Sequence, residues 1–180
     1  MPRLFSALPV PEDVTDDLLS LIGELDGANW IDADDYHITL GFFGDIDNLL
    51  ADEIVSELDR IDCPPVTVEI IGLGSFTRRG LPQIIFADVR LSDELATLRS
   101  RHERVLRRYG FELDKHDFHP HVTLARLNGR VPASVCAQWL ADRGAFRCAP
   151  FVAHSFVLYS AQESVGGGPY LREEEFRLGG

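Results

Sequence analysis

Tyr36-His37-Ile38-Thr39-Leu40-Gly41-Phe42-Phe43 and His121-Val122-Thr123-Leu124-Ala125-Arg126-Leu127 decide how this chain is read, because they are one pattern written twice. Both runs are rich in strand-forming residues, both follow a polar or proline-broken segment, and both carry H-[IV]-T-L. In a strand, residues i and i+2 share a face and stand about 7 Å apart. His37 and Thr39 therefore point one way while Ile38 and Leu40 turn to the core. His121 and Thr123 separate from Val122 and Leu124 in the same manner. A single H-x-T on a strand is an ordinary packing or surface feature, but two in corresponding places are poorly explained by chance.

The surroundings of the two runs repeat as well. Arg3 to Pro9 reads as a buried strand. Pro11-Glu12-Asp13 then opens a helix whose apolar positions Val14, Leu18, Leu21, Ile22 and Leu25 keep helical spacing up to Gly27. Trp30-Ile31 is short and extended. A second helix fits Asn48 to Arg60, and a strand fits Val66 to Leu73, with Gly72, Gly74, Arg78-Arg79-Gly80 and Pro82 as strand ends and a loop. The order then restarts with a strand from Gln83 to Leu91 and a helix capped by Ser92, with Leu95, Leu98, Val105, Leu106 and Tyr109 as its stripe. Phe111 to Phe118 reads as a loop or edge strand. After the His121 run, Pro132 opens a fourth helix and Phe151 to Tyr159 is another strand. Strand, helix, strand, helix, strand thus occurs twice, the mark of an internal duplication. Gly166-Gly167-Gly168-Pro169-Tyr170 reads as a flexible loop, and Leu171 to Leu178 as the last strand.

The chain has 180 residues, 45% of them hydrophobic and 26% charged, which suits one soluble globular domain over 1–180, with two lobes. No apolar run approaches the roughly 20 residues of a membrane span, and the start lacks a signal peptide, so a cytoplasmic monomer is expected. Cys63, Cys136 and Cys148 are an odd, widely spaced set, which suggests reduced packing residues and no disulfide framework. The formal net charge of −12 argues against a broad basic face for long nucleic acid. A small phosphate site stays open, because salt screens distant carboxylates beyond about 8 Å.

If the two halves pack about a pseudo-two-fold axis, the histidine runs present two imidazoles and two hydroxyls to one ligand. Opening a cyclic phosphodiester requires a base for the attacking water and an acid for the departing sugar oxygen. Histidine suits both roles, since its ordinary pKa of about 6.5 leaves either protonation state accessible. Thr39 and Thr123 can donate to nonbridging oxygens, and Arg126 is the candidate guanidinium for the developing charge. Among nearby aromatics, alternation sends Phe42 inward with Ile38 and Leu40, and leaves Tyr36 and Tyr170 as candidates to stack a base. His102 lies in a helical stripe and reads as a satisfied core histidine, and His154 as a strand residue without a motif. Arg78-Arg79 reads as a solvated turn. Two other functions compete: a metal-dependent phosphohydrolase using His116, His119 and His121, and a module that binds RNA ends without chemistry. Pro120 interrupts the first cluster, and a binder needs no proton-transfer pair.

Arg3-Leu4-Phe5-Ser6-Ala7-Leu8, the Trp30 to Asp45 stretch with its first histidine run, Phe118-His119-Pro120-His121-Val122-Thr123-Leu124-Ala125-Arg126 and Leu158-Tyr159-Ser160 together resemble the 2H phosphoesterases. The resemblance is to the RNA 2′,3′-cyclic phosphodiesterase branch, also called LigT-like or 2′-5′ RNA ligase. It implies an α+β, bilobal fold with antiparallel sheets lining a central cleft. It also implies no metal or other cofactor, and conversion of 2′,3′-cyclic phosphate ends to 2′-phosphates. On that likeness His37 is the acid and His121 the base, while Thr39, Thr123 and Arg126 hold the phosphate. RNA or oligonucleotide ends and cyclic nucleotides are then the expected substrates, with 2′-5′ ligation as a minor activity. Position 119, a histidine here, is an arginine in many relatives.

Overall fold

The computed structural model describes residues 3–113, 115–161 and 169–179. Along the chain lie β1 (Arg3–Pro9), α1 (Glu12–Leu19), β2 (Ala28–Trp30), β3 (His37–Asp45), α2 (Asn48–Leu58), β4 (Val66–Val68) and β5 (Ile70–Arg78). They are followed by β6 (Leu81–Val89), α3 (Asp93–Arg108), β7 (His121–Leu127), α4 (Ala133–Asp142), β8 (Phe151–Ala153), β9 (Ser155–Ala161) and β10 (Tyr170–Arg177). The expected α+β class holds, and the described strand pairings are antiparallel.

One large sheet runs in the order β10-β9-β1-β3-β7-β6-β5, with β2 beside β7, while β4 and β8 form a separate pair. The duplication explains this order. The series β1, α1, β3, α2, β4, β5 corresponds to β6, α3, β7, α4, β8, β9. Yet β5 pairs with β6 and β9 with β1, so each half lends its last strand to the other half's part of the sheet. The two lobes are thereby laced together, and Ile38 opposite Val122 joins β3 to β7 near the start of both strands.

Period-2 patterning sets the core. Ile38, Leu40, Val122 and Leu124 are buried, facing helices whose own stripes, such as Leu95, Leu98 and Leu106 of α3, are also buried. Truncating one such leucine to alanine typically costs about 2–5 kcal/mol. The cap expected at Ser92 forms, its Oγ accepting from Leu95 N–H at 3.2 Å, and Asp47 Oδ1 caps α2 by accepting from Leu50 N–H at 2.9 Å.

Several boundaries differ from the sequence reading. The first helix stops at Leu19, because Gly23 (φ 119°) and Glu24 (φ 56°) turn the chain, and Leu21 and Leu25 are buried from non-helical backbone. The strand expected over Val66 to Leu73 divides at Glu69, and β5 continues through Gly72 and Gly74. The loop is confined to a hairpin turn at Arg79 (φ 52°) and Gly80 (φ 78°). Phe151 to Tyr159 likewise divides, at the exposed His154. Residues 166–168 lie outside the described ones, and Tyr170 begins β10. Among the described residues the three cysteines are free, and no helix is long and apolar enough to cross a membrane.

Candidate active site

Both histidine strands carry a β-bulge at the same place. In β3, Thr39 pairs with Ala7 and Gly41 with Ser6, leaving Leu40 as an extra residue. In β7, Thr123 pairs with Phe86 and Ala125 with Ile85, leaving Leu124 as the extra one. A bulge reverses the alternation of faces beyond it. Strict alternation would send Phe42 and Arg126 into the core, whereas the bulges return both to the histidine face. Arg126 is exposed there, and Phe42 is 49% exposed. The inward reading of Phe42 is thus corrected, and Phe43 is the buried neighbour.

The antiparallel register then crosses the two motifs. With Ile38 opposite Val122, the neighbouring positions set His37 towards Thr123 and Thr39 towards His121. His37 Nδ1 lies 2.6 Å from the Asp35 main-chain oxygen, and His121 Nδ1 lies 2.7 Å from that of His119. A carbonyl oxygen only accepts, so each Nδ1 carries its hydrogen and donates it. In the neutral ring, Nε2 is then left with a free lone pair, and neither Nε2 has a protein partner among the described residues. The two imidazoles are held alike and present the same atom.

Burial lowers the His37 pKa to about 4; its bond to the Asp35 carbonyl opposes this, and the charges of His121 and Arg126 push it further down. Burial also lowers His121, opposed by its carbonyl bond and, more weakly, by the Asp88 carboxylate. Both rings are thus held towards the neutral form, and of the two His121 is the one eased by the Asp88 carboxylate.

An aromatic wall backs each ring. Phe5, Tyr170 and Tyr159 lie 4.9, 5.3 and 6.0 Å from His37, and Phe76 and Phe86 lie 4.9 and 5.3 Å from His121. Tyr170 is half-buried, and its main-chain N–H donates to Asp35 Oδ1 at 3.0 Å. One residue thus steers His37 through its carbonyl and pins β10 through its carboxylate. Burial raises the Tyr170 hydroxyl pKa, with the Arg126 guanidinium pulling it back, which sets Arg126 close to both Tyr170 and His37. Tyr36 is not available for stacking: it is 3% exposed, its hydroxyl lacks a partner among the described residues, and burial pushes its pKa to about 12. Its side chain falls on the core face, opposite to His37. His102 is buried as expected but only half satisfied. Its Nδ1 bonds the Leu98 carbonyl at 2.9 Å while Nε2 has no partner among the described residues. His119 points its Nε2 at Asp88 Oδ1, 2.9 Å away, and no three metal-ligating side chains converge among the described residues.

The model of the family described as LigT like Phosphoesterase matches the chain twice, over residues 8–86 and 85–170. The chain belongs to the LigT-like phosphoesterases. Its two matches fall on the two halves inferred from the repeated runs. An RNA 2′,3′-cyclic phosphodiesterase of Thermotoga maritima is 30% identical over 69% of this chain and 70% of its own length. A protein of the same description from Aeropyrum pernix is 38% identical over 58% of this chain and 61% of its own. That last alignment spans less than two thirds of the relative. Among solved structures, the protein TT0787 of Thermus thermophilus superposes with a TM-score of 0.79 at 22% identity, covering 97% of each chain. Escherichia coli LigT complexed with 3′-AMP gives 0.77 at 20% identity over 100% of each. These two show the LigT-like fold.

Within this candidate site the structure brings together His37, Thr39, His121, Thr123, Arg126 and Tyr170, and excludes Tyr36. It adds residues that the sequence reading passed over. Asp88 is the register partner of His121 and holds the His119 ring, and Asn29 of β2 is the exposed register partner of Arg126. Phe5, Tyr159, Phe76 and Phe86 form the walls. Asp88 lay within a run read simply as a strand, so only the pairing of β6 with β7 reveals it.

Proposed function

We propose that the protein is a metal-independent RNA 2′,3′-cyclic phosphodiesterase that turns 2′,3′-cyclic phosphate ends into 2′-phosphates. The observation that carries this is the matched tethering of His37 and His121 through Nδ1, which leaves two equivalent Nε2 atoms for proton transfer. Relatives described as RNA 2′,3′-cyclic phosphodiesterases support the same substrate.

In the reaction, Nε2 of His121 takes a proton from water as its oxygen bonds to phosphorus. The bond from phosphorus to the 3′ oxygen breaks, and Nε2–H of His37 protonates that oxygen. The 2′ ester bond stays, giving a 2′-phosphate and a free 3′-hydroxyl. The Thr39 and Thr123 hydroxyls and the Arg126 guanidinium donate to the nonbridging oxygens as charge grows on them. A positive His121 is eased by Asp88, and the negative phosphate restores to His37 the proton affinity that burial removes. Tyr170 at the edge of His37 is placed to stack the base. A 5′-hydroxyl in place of water would give a 2′-5′ linkage by the same proton transfers, and ligation as a minor activity is part of this proposal.

Turnover of 2′,3′-cyclic nucleotides in excess EDTA tests this reading. Sustained hydrolysis is expected; strict dependence on an added divalent metal, or binding without turnover, contradicts it.

A further inference from the structure

The twin bulges leave an asymmetry. They make Phe42 the counterpart of Arg126, so the same position of the duplicated site carries a guanidinium at one end and an aromatic ring at the other. Phe42 pairs across β1 with Phe5, whose ring contacts His37, and so shares the cleft face. It is 49% exposed, and the Arg3 guanidinium lies 5.3 Å from its ring centroid. Arg3 makes no ion pair among the described residues, although Asp45 is its register partner. In a chain of net charge −12, an uncommitted cation over an open ring beside a phosphate site has a specific chemistry. Single-stranded nucleic acid is held in this way, its bases stacked on aromatic or guanidinium planes and its phosphates on cations.

We propose that Phe42 and Arg3 form a second nucleotide subsite, which takes the base and phosphate of the nucleotide preceding the cyclic phosphate of an RNA end. The subsite rests on the phosphodiesterase reading. Phe42 lies three residues along β3 from Thr39, about 10 Å of strand or less with the bulge, a span that one nucleotide crosses. Because β3 and β7 run antiparallel from the Ile38–Val122 pair, it lies on the far side of the phosphate position from Arg126, at the end of the cleft opposite to that guanidinium. The preferred substrate is then an oligonucleotide end, and a cyclic mononucleotide fills only part of the site.

Binding of product-like ligands tests this independently of turnover. A trinucleotide ending in a 2′-phosphate should bind wild-type protein roughly 5- to 150-fold more tightly than a nucleoside 2′-phosphate, the usual worth of one stacked base. Phe42→Ala should bring that ratio close to one, Phe42→Trp should keep it, and Arg3→Gln should reduce it and flatten its salt dependence. Circular dichroism checks that each variant is folded. Equal affinities in the wild type, an unchanged ratio in Phe42→Ala, or a loss shared equally by both ligands overturns the subsite. Hydrolysis without the ratio sinks the subsite alone; the ratio without hydrolysis sinks the reaction alone.

Discussion

Ile38 stands opposite Val122, and this pair, in which neither side chain reaches solvent, is what brings the two motifs to one place. Because its register is antiparallel, each histidine faces the other motif's threonine. The two histidines therefore come from different halves of the duplicated chain, and neither half alone brings both together.

Replacing His37 or His121 by alanine should each lower kcat by about 10² to 10⁴, the usual contribution of a positioned proton donor or acceptor. Steady-state assays on a 2′,3′-cyclic nucleotide measure this. The double variant should lose far less than the product of the two single losses, since the residues act as a unit. A wild-type rate from either single variant removes that residue from the mechanism.

The pH profile of kcat/KM should be bell-shaped with its maximum below pH 6.5. Catalysis needs one histidine protonated and the other neutral, and in the free protein both are lowered, His37 to about 4. The profile of kcat should peak at higher pH, because bound phosphate raises the pair. The limbs belong to the coupled pair as a whole. A profile flat from pH 4 to 8 contradicts acid–base catalysis.

His102 predicts an acid-sensitive fold. Burial lowers its pKa to about 4, against 6.5 for an exposed histidine, with the Leu98 carbonyl bond opposing. Between those values the unfolded chain takes up a proton that the folded one refuses. Stability should therefore fall as pH drops from about 6.5 towards 4 and level off below, by about 3 kcal/mol for this group. Urea unfolding at pH 7 and pH 5 should show a smaller difference in His102→Leu than in the wild type.

Gly74→Ala should damage the site without touching a catalytic group. A Cβ there would lie 2.7 Å from Phe86 Cζ, and the Phe86 ring packs 5.3 Å from His121. Displacing a buried ring by overpacking costs about 1–3 kcal/mol. Thermal unfolding should show that loss, together with a lower kcat. An unchanged kcat would show that the Phe86 wall does not position His121.

Much of this was legible in the sequence because it depends on period and repetition. H-x-T on two duplicated strands placed His37, Thr39, His121 and Thr123 on one face, and residues Val122 and Leu124 in the core, without any tertiary information. The bulges were not legible, since an inserted residue leaves the composition of a strand unchanged. Phe42 was accordingly turned the wrong way, and nothing in the sequence showed how Arg126 reaches the cleft. Tyr36 is a different case: period-2 alternation from His37 already puts it on the core face with Ile38 and Leu40, where the structure buries it, so the stacking role conflicts with the strand pattern itself. The Asp88–His119 contact depends on the pairing of β6 with β7 and has no local signal. The exchange of β5 and β9 between halves is likewise a long-range choice, made by the whole sheet.

The most direct measurement is to incubate the protein, in excess EDTA, with an oligonucleotide ending in a 2′,3′-cyclic phosphate and to identify the product end. With His37 protonating the 3′ oxygen, the end must be a 2′-phosphate with a free 3′-hydroxyl, formed by the wild type and at a rate reduced at least about 100-fold in His37→Ala. A 3′-phosphate, an unopened ring, or full activity in His37→Ala would contradict the account.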